Sequence, residues 1–530
     1  MMKRTNLLAA MLLMVSGTTF AGGLLTNTNQ NVAFLRNPAR DAAFGIDGVY
    51  SNPAGVVFLP AGLHLSLNFQ SAYQNREVTS TFAPFAYGAK NNGSATKTFK
   101  GDAKAPVIPS LQAAYNMGNW SFSFNFSIGG GGGKCEFGDG LGSFESQAAL
   151  LPLVGGMLAT ELRNDKYKIN QYTLDSYMRG RQYYYGFQIG AGYKINDNLS
   201  AFVGGRLVYA TCNYYGYVKD ICILREGSSE MEKASEYFGQ ERDSYLRMAG
   251  EAKEAADLYA QAGNLEQAQN YAEQATQAVT AAKTMGTLAV ATSDVTLNCD
   301  QTGWGFTPIL GVDYKIGKLN LAAKYEFKTR IRLENRSANS ESANNLAALS
   351  KFQDGKKVKE DIPALLTLGV QYEILPSLRV MGGYHHYFDK QASQEGDIQK
   401  NLRHGSREFL AGMEYDICKQ LQFSAGWQNT HYGLTDSYMR DMSFNVCSNT
   451  MGLGLGIQAT KHIKVNVAYF QTFYHTYNRT TNDYNNISST VAAVKGQATA
   501  DALVAGGKLA GSDSFTRTNK VFGLGIDFSF

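Results

Sequence analysis

The side chains able to do chemistry in this sequence are charged groups spaced for binding. Arg206, Lys324, Lys328, Arg330 and Arg379 fall at matching positions of alternating segments, and Glu326, Glu408 and Glu414 share their side. A guanidinium or ammonium so placed can hold a carboxylate through charge-assisted hydrogen bonds. With acids beside them, the same cations also pair among themselves and stiffen a wall. Phe202, Val208 and Ile309 lie on that side too. They suit the wall of an apolar pocket, or the seat of a tightly packed insert. The sequence holds no GxSxG, no HExxH and no phosphate-binding loop. His385 and His386 are adjacent, so on a strand they point to opposite faces and cannot chelate together. Nothing here calls for a metal, a cofactor or an enzyme, although a Ser/His/Asp set scattered over strands would leave no such signature. The net charge of +4 is too small to suggest nucleic acid. Six cysteines form no CxxC pair, and their connectivity is not readable from sequence.

The elements that must position these groups are strands. Leu63, Leu65, Leu67 and Phe69 alternate with polar residues, as do Trp120 to Ile128, Trp304 to Ile316, Leu319 to Leu333 and Phe522 to Phe530. Each such strand has one apolar and one polar face. Fourteen segments follow this rule: 63–73, 107–117, 119–129, 182–195, 198–218, 301–316, 318–335, 361–375, 377–389, 405–417, 420–431, 449–460, 462–477 and 516–530. Most exceed the roughly 5–6 residues of a soluble strand and match the ~9–11 tilted residues that cross a bilayer. Short turns at Gly118, Asn196-Asp197, Gly317, Pro376, Cys418-Lys419 and Lys461 alternate with long connections. That alternation predicts an all-β, 14-stranded antiparallel outer-membrane barrel, with tight turns and both termini periplasmic and long loops extracellular.

The first residues read as an address. Lys3 and Arg4, the apolar run Leu7 to Val15 and Thr19-Phe20-Ala21 predict a secretory signal over residues 1–21. No later stretch is long and apolar enough for a membrane helix. Residues 22–62 are too irregular for a strand and too apolar for a disordered tail. They are expected to fold into the lumen as a plug, or to hang below it as a flap, with the barrel over 63–530. Residues 226–285 turn Ala/Glu/Gln-rich with a helical period, predicting a hairpin joined at Gly263-Asn264 in the third outer loop. It resembles one tetratricopeptide unit, and such units need several copies to bury their faces. Cys222 and Cys299 flank it as a candidate disulfide at its base. A second helical patch, Phe144 to Leu162, is greasy enough to mark ligand contact, or to pack under the third loop.

DAAFGIDGVYSNPAGVVFLP, with its Asn52-Pro53-Ala54 triplet, resembles the N-terminal hatch of the FadL family of outer-membrane transporters for long-chain fatty acids and other hydrophobic compounds. GWGFTPILGVDYKIG resembles that family's strand after the helical third loop, and the terminal Phe530 fits its barrels. The resemblance spans the mature chain; the size and polarity of the 226–285 hairpin depart from it. It implies a third strand kinked inward, leaving a lateral gap in the wall. Gly129, Gly130, Gly131, Gly132 and Gly133 would supply that kink, since glycine tolerates bulges and bends; otherwise they begin a flexible outer loop. The implied function is passive uptake of fatty acids or similar compounds. The route would run through an outer site, a lumen pocket walled by Phe202, Val208 and Ile309 and served by Arg206, Lys324, Arg330 or Arg379, a movable hatch and the gap. The implied partners are a hydrophobic ligand and outer-membrane lipid, with the chain a monomer. Two alternatives stay open: a general diffusion porin, which should carry no plug, and an adhesin or structural barrel whose outer hairpin binds a partner.

Overall fold

A computed structural model describes residues 26, 28–129, 133–345 and 347–530. The expected signal peptide, and Gly130, Gly131 and Gly132, lie outside the described residues.

The chain closes into a 14-stranded antiparallel barrel. Its strands are β1 (Gly62–Phe82), β2 (Thr96–Met117), β3 (Trp120–Ile128, resuming as Gly133–Phe137), β4 (Ile169–Lys194), β5 (Leu199–Arg225) and β6 (Val295–Ile316). Then come β7 (Leu319–Glu326 and Arg332–Ser337), β8 (Lys357–Lys359 and Leu365–Leu375), β9 (Leu378–Tyr387) and β10 (Arg407–Cys418). The last four are β11 (Leu421–His431), β12 (Ser448–Gln458), β13 (Ile463–Tyr474 and Tyr477–Thr481) and β14 (Gly511–Ser529). β1 pairs with β14 from His64↔Ser529 to Phe82↔Gly511, so no sheet edge is left there.

The alternation resolves in the sense that lipid requires. Phe122, Trp304, Phe306 and Phe522 are about half exposed on the outer wall, while Ser66, Asn68, Asn125 and Gln188 are buried within. Apolar atoms outside and polar atoms inside invert the order of a soluble core. The tight turns fall where expected; Gly118 and Gly317 hold φ near +58°, at +59° and +57°, where a side chain would strain. β1, β2, β4, β5 and β6 run further outward than their sequence pattern. Beyond the apolar belt the outer face of β1 carries Asn75, Glu77, Thr79 and Thr81, so alternation no longer marks it.

The lumen is filled. Residues 28–59 fold inside as a hatch with helices α1 (Val32–Arg36) and α2 (Gly48–Ser51), both buried. The outer loops cover the other end. Helices α3 (Gly142–Ala149) and α4 (Leu151–Glu161) are buried, so the greasy patch is interior. Leu150, Val154 and Leu158 share a cluster with Tyr237, Phe238, Met285 and Leu288 from the base of the helical hairpin. That hairpin, α5 (Ala234–Gln261) and α6 (Leu265–Ala291), extends six residues past the expected Met285, with Asn264 capping α6. The Cys222–Cys299 pair does not form: all six cysteines are free. Cys299 faces Tyr214 across β5–β6, eight residues from Cys222. At ~3.3 Å per residue that is far beyond the ~7 Å between Cα atoms that a disulfide tolerates.

Candidate functional site

The ladder between β2 and β3 is interrupted. β2 pairs with β3 from Met117↔Trp120 to Leu111↔Phe126, and pairing resumes only at Lys104↔Lys134. Residues 105–110 of β2 therefore have no ladder partner on this side among the described residues. β3 is paired with β4 on both sides of the glycines: Ile128 pairs with Tyr185, Gly133 with Gln182, and the Gly129 N–H donates to the Tyr184 carbonyl. The break is therefore one-sided. β3 parts from β2 but not from β4, which leaves a gap in the β2–β3 ladder beside the start of the glycine run. The opposite lip reads Ala-Pro-Val-Ile-Pro-Ser over 105–110, and its two prolines lack the N–H that a ladder needs. The register of β2 on β1 also shifts between Gln70 and Ala72.

A cavity of about 220 Å³ lies behind the gap, touching Ile108, Ile128 and Gly129. Phe34, Phe137, Met178, Phe444 and Phe470 give it one apolar side, and Gln70, Gln74, Gln182, Asn445 and Asn519 give it a polar one. Into it project Arg76 and Arg517, which sit directly opposite each other across β1–β14. Like charges facing each other destabilise a sheet. Arg517 donates to the carbonyl of Phe444 at 3.3 Å and to Gln74 Oε1 at 3.1 Å, with Asn445 as a further partner. Among the described residues, neither guanidinium has a carboxylate within salt-bridge distance.

Gln30 of the hatch bridges the two lips. Its side-chain amide donates to the Ile128 carbonyl and accepts from the Ile128 N–H at 2.8 Å. Its own carbonyl accepts from Ser110 Oγ at 3.1 Å. It supplies the hydrogen bonds that β2 withholds from Ile128.

The remaining hatch is anchored more heavily. Arg40 pairs with Asp47 at 2.8 Å and with Glu414 of β10. Arg36 donates to Ser424 at 2.6 Å. The ring nitrogens of His385 lie 2.9 Å from Asp41 and 2.7 Å from Glu408, joining hatch to barrel. Asn52 donates to Asp313 and Ser200 Oγ donates to the Ala54 carbonyl at 2.7 Å. Pro53 lies against Gly192 of β4 and Gly311 of β6. The Asn52-Pro53-Ala54 triplet is thus seated on β5 and β6.

The cations named from sequence lie elsewhere. Arg206 and Lys324 both pair with Glu326 at 2.7 Å and flank the Tyr50 ring. Arg379 pairs with Asp416 at 2.9 Å. They stiffen the wall under the hatch. Arg330 is exposed: the break in β7 after Glu326 shifts the inward parity, so Thr329, Ile331 and Leu333 turn in and Arg330 turns out. Phe202 and Ile309 pack against Ala54 of the hatch, and Val208 joins the cluster under the outer loops; none of the three lines this cavity. The residues missed, Arg76 and Arg517, left only a faint signal. Arg517 has inward parity in the last predicted segment, and Arg76 lies three residues past the first.

No family profile matches the sequence, and no curated protein matches it. Solved structures match the fold over nearly the full length. A Pseudomonas aeruginosa FadL homologue aligns at TM-score 0.59 and 12% identity, covering 96% of this chain and 100% of that one. The Pseudomonas putida toluene transporter TodX aligns at 0.50 and 13%, covering 97% and 100%. A TodX variant described as a monoaromatic hydrocarbon channel aligns at 0.52 and 13%, covering 94% and 99%. At such identities the likeness is one of fold: a hatch-filled barrel of the FadL type.

Proposed function

We propose that this chain is an outer-membrane channel for passive uptake of hydrophobic compounds bearing a carboxylate, long-chain fatty acids being the type case. A hydrocarbon tail gains roughly 0.8 kcal/mol per CH₂ on leaving water, so its path needs apolar shelter at every step. The outer loops, with the hairpin as a lid, supply the landing surface. The apolar side of the cavity takes the tail, Arg76 and Arg517 take the head, and the gap between β2 and β3 lets the ligand leave sideways into the bilayer. Movement down a gradient needs no energy source. The hatch segment before Asn31 must shift for passage, and a ligand favours the shifted state only through tighter contacts there.

The observation that carries this reading is the unneutralised arginine pair in a cavity with one apolar and one polar side, behind a break in the β2–β3 ladder. The FadL homologue and the toluene transporter support the broader class of hydrophobic cargo. The arginine pair argues for an acid over a neutral aromatic. The filled lumen argues against a diffusion porin.

The test is uptake of a labelled long-chain fatty acid by a bacterium lacking its own transporter. It would express the native chain or a variant with residues 129–133 replaced by a Thr/Val strand sequence. Uptake by the native form and loss in the variant, with both barrels assembled, is the expected result. Equal uptake by both would remove the gap from the route. Failure of both to move the acid would point to another hydrophobic cargo.

A further inference from the structure

On its outer face, the same gap carries an unpartnered charge pattern. Lys104 of β2 stands directly opposite Lys134 of β3, and Lys134 directly opposite Arg181 of β4. On the other side Tyr73 of β1 faces both Lys104 and Lys520 of β14. Lys520, Lys104, Lys134 and Arg181 therefore form one row around the wall, all exposed. On three successive strands ~4.8 Å apart, Lys104, Lys134 and Arg181 place three positive charges within about 10 Å. Like charges directly opposite repel. Lys134 leans on Glu136 at 2.6 Å, and Glu136 also accepts from Tyr177. Asp102 stands opposite Glu136, one step further out. Lys104, Arg181 and Lys520 have no ion pair or hydrogen bond among the described residues.

The level of this row is informative. Lys104 immediately precedes the unpaired stretch of β2, and Lys134 is the second residue of the resumed β3, so the row is the outer lip of the gap. Towards the periplasm the wall becomes apolar at once: Val107 is 63% exposed and Phe522 52%, with Phe187 and Ile189 on β4. Cations next to an apolar belt suit a ligand with an anionic head and hydrocarbon tails. A soluble polyanion would have no use for the belt.

We infer that this lip binds the phosphorylated headgroup of an outer-leaflet glycolipid, with its acyl chains lying over the gap. The site rests on the orientation adopted above, with the long loops outside. It adds a resident lipid at the exit that the cargo must pass.

The experiment is native mass spectrometry of the full chain in detergent, titrated with bis-phosphorylated lipid A or with the same lipid dephosphorylated. The variant K104Q/R181Q removes two free cations and leaves the Lys134–Glu136 pair. K419Q/K461Q removes the same charge at the periplasmic turns. The expected result is at least tenfold weaker binding of the phosphorylated lipid to K104Q/R181Q, with native affinity in K419Q/K461Q and a native preference for the phosphorylated form. Equal affinity in both variants, or no preference for phosphate, would overturn the inference. Heat-modifiable migration on a gel checks that each barrel is assembled. Fatty-acid uptake is scored separately, so a native chain that binds lipid A without moving the acid would sink the transport proposal alone.

Discussion

Gln30 offers the sharpest test of how the gap is held shut. Ile128 is the last residue of β3 before the glycine run, and its N–H and carbonyl face the side where β2 gives no ladder. Both are satisfied by the Gln30 amide. Replacing Gln30 by Met keeps the length of the side chain and removes both bonds. At ~1 kcal/mol net for each bond, closure loses about 2 kcal/mol. With ~1.4 kcal/mol per factor of ten, the open population rises roughly 30-fold. The Ser110 bond to the Gln30 carbonyl survives the change, so the segment should loosen without leaving its path. Amide hydrogen exchange at Ile128 reads this directly. Its protection should fall about 30-fold in Gln30→Met, while amides of the β4–β5 ladder hold theirs. Fatty-acid uptake at low ligand concentration should rise in the same variant. Ile128 protection within threefold of native would refute the idea that Gln30 latches the gap.

Three further outcomes follow from the packing. Arg517→Gln should weaken binding of a long-chain carboxylate about 10- to 100-fold, the ~1.5–3 kcal/mol of a charged hydrogen bond. It should leave a neutral hydrocarbon of equal length nearly unaffected; equal losses for both ligands in a calorimetric titration would count against a carboxylate site. Arg40→Met leaves Asp47 buried without its cation and Glu414 with only the longer contacts to Arg379 and Arg36, at about 3–5 kcal/mol. Its hatch should be cut by protease where the native hatch resists, and ion conductance should rise. Lys351, in the outer loop between β7 and β8, has its ammonium lowered by burial to about 7, against the pull of Glu360 and Glu395. Between about 7 and the ordinary Lys value of 10.5 the unfolded loop therefore binds more protons than the folded one. Lys351 adds stability as pH climbs through that window and withdraws it as pH falls to 7. The difference in exchange protection of residues 349–353 between native and Lys351→Met should rise with pH there; a falling difference would contradict the sign.

Much of the fold was legible because lipid imposes a simple rule. Every crossing strand must show hydrocarbon on one face and polar atoms on the other, so period-two alternation located all fourteen strands and the tight turns between them. Helical period located the hairpin, and apolar irregular chain marked the hatch. The charged site was less legible. The cations that alternation placed inside, Arg206, Lys324 and Arg379, are inside and neutralised; their acids come from neighbouring strands or strand-mates such as Glu326. Arg330 failed because a break of a few residues in β7 reverses which side faces in, and alternation counted straight through it.

The amino-acid sequence by itself determined the barrel, its strand number, the position of its turns, the presence of an insert before the first strand and a helical hairpin outside. These depend on local period and on the order of segments along the chain. Tertiary structure alone decided which side chains meet in the lumen and where the β2–β3 ladder breaks. Arg76 and Arg517 become opposite neighbours only when the first strand closes on the last. The β2–β3 ladder breaks beside the glycine run because β3 leaves β2 there while pairing with β4 on either side. Gln30 reaches Ile128 only when the hatch folds back between those strands. Each is a contact between residues far apart in the chain, set by barrel closure and register, and no local pattern of residues encodes it.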